Sequence, residues 1–271
     1  MSTLESEYYE SHDFWAGEAL QDEHNLSRIR ETAGLIPPDT ASLADVGCGN
    51  GVFVNYLQQA MSSLELFAID RSRAALEYVR TPKGEGDIAA IPLPKHSYDC
   101  VTCLEVIEHL PLDTFQSALS ELARVARKYI IVSVPYAENL EQNHTQCPQC
   151  KSIFNADLHL RTFSDDDILH LLDRENFRCV QTKKAGKQTS YLGHYRYSRL
   201  FYPEHFRIWR SPICPICGYR NGGLASTNTC SHYPHPKRRR SLISYFSRLP
   251  KLFWPKETTY YWIIGLYRRS P

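Results

Sequence analysis

The run Leu43-Ala44-Asp45-Val46-Gly47-Cys48-Gly49-Asn50-Gly51 restricts this 271-residue chain more than any other stretch. It leaves an apolar strand, turns on three glycines and opens a helical pattern. Glycine serves there because the backbone must turn sharply and approach a ligand with no Cβ in the way. The helix that follows offers free N–H groups to an anionic group such as a carboxylate. Glycines alone could make a plain strand–helix turn, so context decides. Asp70 ends the next apolar strand, where an acidic side chain can accept hydrogen bonds from ribose hydroxyls. A nicotinamide enzyme shares this logic but spaces its glycines G-x-G-x-x-G, whereas Gly47, Gly49 and Gly51 read G-x-G-x-G.

Around this loop, apolar runs alternate with helical patterns, the signature of an α/β chain with a parallel sheet covered on both faces. Strands are expected at 42–47, 64–70, 98–104, 129–135 and 177–182, with a β-rich final strand at 259–267. Helices are expected at 51–61, 73–80 and 113–127, the last with an apolar stripe of Leu119, Leu122, Val125 and Ala126. Ser164 and Asp167 form a capping box that opens a helix over 165–175. Two long segments break the alternation, 136–161 and 183–257, and loops of that length usually carry function or a structured insertion.

Asp45–Gly51, Ala68-Ile69-Asp70, Gly86-Asp87-Ile88 and the run from Tyr98 to Glu105 together resemble the successive motifs of class I S-adenosylmethionine-dependent methyltransferases. The resemblance spans about residues 40–182 and implies a doubly wound, Rossmann-like, seven-stranded sheet closed by an antiparallel strand. It assigns the cofactor to Asp45, Gly47, Cys48, Gly49, Asp70, Arg71, Asp87, Ile88 and Leu104. Gly47 and Gly49 would form the floor under the methionine part, Asp70 would bind the ribose, and Asp87 with Ile88 would flank adenine. Methyl transfer is then mainly in-line positioning of a nucleophile, and a hydroxyl acceptor also needs a base or a metal.

Glu105-Val106-Ile107-Glu108-His109 follows the 98–104 strand, on the acceptor side of the cofactor. On a helical turn Glu105 shares a face with Glu108 and His109. The string resembles the Glu-x-x-Glu-His of ubiquinone-pathway O-methyltransferases and of small-RNA 2′-O-methyltransferases, in which a further histidine arrives from a later loop; His159 is the candidate here. Two uses stay open: His109 or His159 as general base, or the four groups as ligands of a Mg2+-like cation. The same string also occurs in methyltransferases that need no metal.

Cys147-Pro148-Gln149-Cys150 and Cys214-Pro215-Ile216-Cys217 have the spacing of zinc-ribbon knuckles, in which two thiolates three positions apart grip a tetrahedral Zn2+. Both loops follow strands expected to run parallel, so both should emerge at one sheet edge, and one four-cysteine structural zinc site would stitch them into a lid. The alternative completes each knuckle with histidines, such as His144 or His159. Cys100 and Cys103 also read C-x-x-C, but an odd offset on a strand sends them to opposite faces of the core.

Nine cysteines in a chain whose first residues are acidic, with no apolar leader, point to a reducing, cytoplasmic setting. A net charge of +1 gives no global pull toward nucleic acid. Residues 237–256 mix Lys and Arg with aromatics at helical spacing, and could meet the inner face of a membrane, pack on the core, or contact nucleic acid. Tyr8, Tyr9, Phe14 and Trp15 form an aromatic cluster that could fold over the cofactor. The expected organisation is a helical lid (1–40), a cofactor-binding core (41–182), an insertion (183–258) and a closing strand (259–271). The expected activity is O-methylation of a small-molecule, glycan or lipid-linked acceptor. The alternatives are an RNA methyltransferase and a non-catalytic cofactor-binding subunit.

Overall fold

The computed structural model describes residues 9–10, 12–15, 23–191, 213–219 and 256–271. Seven strands form one sheet in the order β3-β2-β1-β4-β5-β9-β8. They are β1 (Ser42–Val46), β2 (Glu65–Asp70), β3 (Lys83–Glu85), β4 (Tyr98–Leu104), β5 (Ala126–Pro135), β8 (Phe177–Tyr191) and β9 (Lys256–Arg269). The first five run parallel, and β9 is antiparallel to both its neighbours. Two further strands, β6 (His144–Gln146) and β7 (Ile153–Asn155), pair as a small separate hairpin.

Strand alternation divides the core into two layers. Ala44, Val46, Val101, Cys103, Ile130 and Val132 face one side, under the apolar stripe of α5 (Leu112–Val125) and Ile168 of α6 (Asp165–His170). Leu43, Cys100, Tyr129 and Ile131 face the other, packed with Ile29 of α2 (Glu23–Ala33) and with Phe53 and Leu57 of α3 (Val52–Ala60). Cys100 and Cys103 therefore lie in different layers, as their offset requires. Sheet edges left by this sandwich place the ends of β1, β2, β4 and β5 together, where open α/β sheets bind ligands.

Several expected boundaries move. α4 (Arg73–Leu76) stops four residues early; tighter turns follow, and the Lys83 ammonium caps the carbonyls of Leu76 and Val79. α6 keeps its capping box but ends at His170; a 3-10 turn follows, and Asn176 at φ 58° closes it. The short polar edge strand β3 has no apolar alternation and carries no sequence signal. β8 runs past 182 to Tyr191, paired with β9 down to Lys256, while β5 stops at Pro135 opposite Trp262. The two strands thus continue as a ribbon beyond the sheet edge. Residues 183–191 and 256–258, expected in the insertion, belong to this ribbon. Within the expected lid, the described α2 packs on the sheet, and Lys183 pairs with its Glu31 at 2.6 Å. The 237–256 segment lies outside the described residues apart from Lys256, as do Tyr8 and Cys230. No described helix is long and apolar enough to cross a membrane.

Candidate active site

Gly47, Gly49 and Gly51 adopt φ of 75°, 52° and 75°, the left-handed region that favours glycine. A Cβ on Gly47 would sit 2.5 Å from Val106 Cγ2, so the loop needs the bare backbone for space as well as for conformation. The amides of Gly47 and Cys48 donate to the carbonyl of Ile69 at 2.8 and 2.9 Å. Asp70 closes the turn: one carboxylate oxygen accepts from Gly49 N at 2.7 Å, the other from Ser72 N at 2.8 Å. Burial raises its pKa while these bonds oppose the shift. Asp45 lies under the loop, accepts from Thr102 Oγ1 at 2.5 Å and is pushed up to about 7 by burial. Asp87 Oδ1 caps the following turn through Ala89 N, Ile88 packs on the core, and Leu104 is half-buried at the end of β4. The half-buried Cys48 thiol is pushed up by burial.

A short cover lies on this loop. Trp15, in α1 (His12–Trp15), places its ring against Gly49, its carbonyl accepts from Asn50 Nδ2 at 2.9 Å, and its indole N–H donates to Tyr9 O at 2.6 Å. Ser72 Oγ donates to the same Tyr9 carbonyl, and the Arg71 guanidinium stacks 4.8 Å from the Tyr9 ring centroid.

Beyond the end of β4, Glu108, His109 and His159 bring one ligand atom each within 4.8 Å of one another. Glu108 is fully buried, and neither of its carboxylate oxygens has a hydrogen-bond partner. Burial and the neighbouring Glu105 raise its carboxyl well above the ordinary range. His109 is pushed down to about 4 by burial, with His159 adding to it, and its Nδ1 is buried without a partner. The two imidazoles meet edge to face, centroids 4.7 Å apart. Against the lowering effect of burial, Glu138 lifts His159 above the usual histidine value; its Oε2 lies 2.5 Å from His159 Nδ1. Glu105 stands outside this group. Held at φ 58°, it accepts from Ser133 Oγ at 2.8 Å and from the Trp262 indole at 2.5 Å.

Residues 44–131, which contain the glycine loop, Asp70 and the Glu105–His109 string, match the methyltransferase domain family. Residues 44–131 carry a methyltransferase domain. The Arabidopsis thaliana small RNA 2′-O-methyltransferase is 28% identical over 187 residues, covering 62% of this chain and 19% of that protein. The Bordetella parapertussis ubiquinone biosynthesis O-methyltransferase is 31% identical over 96 residues, covering 32% of this chain and 38% of that one. The chain thus spans well under half the length of either relative. In fold, the domain resembles the Synechocystis magnesium protoporphyrin IX methyltransferase solved with SAH, at a TM-score of 0.53, 15% identity and 99% coverage of both chains.

The two cysteine knuckles come together outside the matched residues. The Sγ atoms of Cys147, Cys150, Cys214 and Cys217 all lie within 4.8 Å of one another, with Cys147–Cys217 and Cys150–Cys214 both at 3.6 Å. The two knuckles share one turn geometry: Lys151 N donates to Cys147 O and Gly218 N to Cys214 O, and both donors have positive φ. Sequence reasoning missed Arg28 of α2. Its guanidinium lies over Trp262 at 5.4 Å, its Nε is buried without a partner, and its charge opposes the upward shifts at Asp45 and Glu108. It missed Glu138 and Asn155 as well. None of the three stands in a local pattern; fold alone brings them to the site.

Proposed function

We propose that this domain transfers a methyl group from S-adenosylmethionine to a hydroxyl oxygen, with a divalent cation held by Glu108, His109 and His159. The observation that carries this reading is Glu108. A fully buried carboxyl with both oxygens unbonded is costly in a protein interior and is retained where a ligand completes it. The donor set, two imidazoles and a carboxylate, suits a divalent metal.

Bound S-adenosylmethionine supplies an electrophilic methyl on a sulfonium that is its own leaving group. Gly47 and Gly49 keep the floor beneath it free of side chains, and Asp70 retains lone pairs for ribose hydroxyls beyond its bonds to Gly49 and Ser72. Asp87 and Ile88 flank the adenine position. The first N–H groups of α3 and the Arg28 guanidinium, whose Nε has no hydrogen-bond partner, suit the methionine carboxylate. Tyr9 and Trp15 cover the loop as a lid. A bound cation would lower the pKa of an acceptor hydroxyl. Glu138 accepts from His159 Nδ1 and so leaves Nε2 for the cation or for the acceptor proton. That orienting pair also favours a second reading, in which His159 is the general base without metal.

The four-cysteine cluster is read as structural zinc. Tetrahedral Zn–S bonds of about 2.3 Å put sulfurs about 3.8 Å apart, near the 3.6 Å found, whereas a disulfide would need about 2.05 Å. Four protein ligands leave no open position for catalysis there. A thiolate centre of this kind fits a reducing, cytoplasmic setting. Small-molecule, glycan or lipid-linked hydroxyls are the first acceptor class. RNA 2′-hydroxyls are the second, favoured by the relative that matches over 62% of the chain; a steep salt dependence of RNA affinity would mark them.

Calorimetric titration of Mn2+ into the S-adenosylhomocysteine-saturated protein tests the cation. One Mn2+ per chain is expected to bind the wild type, and Glu108→Gln, which keeps the volume but removes the charge, is expected to weaken it at least ~100-fold, in keeping with the loss of a charged ligand. Wild-type protein that ignores Mn2+ yet transfers methyl groups would overturn the cation and leave the His159–Glu138 base.

A further inference from the structure

Asn155 is the last residue of the β6–β7 hairpin and is 7% exposed. Its amide is fully engaged in one orientation. Oδ1 accepts from Asp157 N at 2.9 Å and from His159 N at 3.3 Å. Nδ2 donates to Leu140 O at 3.2 Å and to Glu138 Oε1 at 3.5 Å. The reverse orientation would set N–H against N–H on one side and oxygen against oxygen on the other, so the network assigns the amide. One side chain thus grips both members of the Glu138–His159 pair, the first by its carboxylate and the second by its backbone.

The rest of the hairpin explains why that grip is rigid. His144 pairs with Asn155 and Gln146 with Ile153, and the turn joining the two strands carries Cys147 and Cys150. Ser152 Oγ lies 2.9 Å from Cys150 Sγ and 3.5 Å from Cys214 Sγ, so the turn is tied to the second knuckle as well. On the other side of Asn155, Leu158 takes φ 62° and Leu160 N bonds Glu108 O, which seats His159 beside Glu108. The path from the cysteine cluster to the acceptor side is therefore one short hairpin and one amide.

We propose that Asn155 is a positioning residue that holds Glu138 and His159 in register with Glu108, from a hairpin clamped by the four-cysteine cluster. This rests on His159 serving the acceptor side, as proposed above. It touches no substrate itself; it sets where the imidazole stands and which ring nitrogen is left free.

Mn2+ titration of the S-adenosylhomocysteine-saturated full chain tests it, with zinc content, melting temperature and S-adenosylhomocysteine affinity measured alongside. His159→Ala is expected to lose Mn2+; if it binds Mn2+ as the wild type does, the reading of His159 falls, and this inference with it. Asn155→Ala is expected to weaken Mn2+ by roughly 10–100-fold, the usual effect of losing a residue that orients a metal ligand, with zinc and S-adenosylhomocysteine affinity retained. Asn155→Asp keeps both accepted bonds and hence the 155–159 turn, but it cannot donate and repels Glu138. It is expected to fold and to bind Mn2+ roughly 10-fold more weakly than the wild type. Asn155→Asp binding Mn2+ like the wild type, while His159→Ala does not, would overturn the proposal. So would an Asn155→Ala loss matched by equal losses of zinc and S-adenosylhomocysteine affinity.

Discussion

Cys214→Ser is expected to empty the zinc site and release the 136–161 loop to protease, while the seven-stranded sheet stays folded. Structural zinc in small thiolate sites contributes an apparent ~10–16 kcal/mol, and the four-cysteine cluster ties one knuckle to the other. Serine cannot replace a thiolate as a soft ligand, so three sulfurs would remain around an incomplete tetrahedron. The cluster hangs on insertions, whereas the two core layers are built from β1, β4, β5 and their helices. Loss should therefore be local, with limited cleavage in 136–161 and a small change in the main thermal transition. Elemental analysis reads the metal, and a time course of mild proteolysis reads the loop. Wild-type protein with well under one zinc per chain would remove the site outright.

Asp70→Ala is expected to weaken S-adenosylmethionine by at least ~100-fold. The carboxylate bonds the backbone of Gly49 and of Ser72, and its remaining lone pairs are those proposed to meet the ribose hydroxyls. Hydrogen bonds to a charged group contribute about 1.5–3 kcal/mol each, and alanine removes all of them at once. It also frees the Gly49 amide, which loosens the floor of the site. Asp70→Asn keeps one acceptor and should fall between the two. Calorimetry separates the three proteins, and an Asp70→Ala affinity within threefold of the wild type would remove Asp70 from the cofactor site.

The glycine loop was legible because a positive φ at three successive odd positions admits few residues other than glycine. The cysteine knuckles were legible by spacing, and parallel strands at 135 and 182 brought them to one edge, since β5 and β8 do run the same way. Glu108, His109 and His159 were picked out together, and the fold brings them together. Glu105 shows the limit of that reasoning. It was expected to share a helical face with Glu108, but its left-handed backbone turns it instead toward Ser133 and Trp262. The β8–β9 ribbon was hidden because Lys183–Tyr191 has no apolar alternation; it is held by strand pairing and by the buried Ala185, which joins the core. Arg28, Glu138 and Asn155 come from three separate elements, and only tertiary packing gives them their partners.

Titration of S-adenosylmethionine into the wild-type chain tests the central claim most directly. The domain is expected to bind one molecule per chain in the micromolar range, about −7 to −8 kcal/mol. No heat and no shift in melting temperature at millimolar S-adenosylmethionine would contradict it.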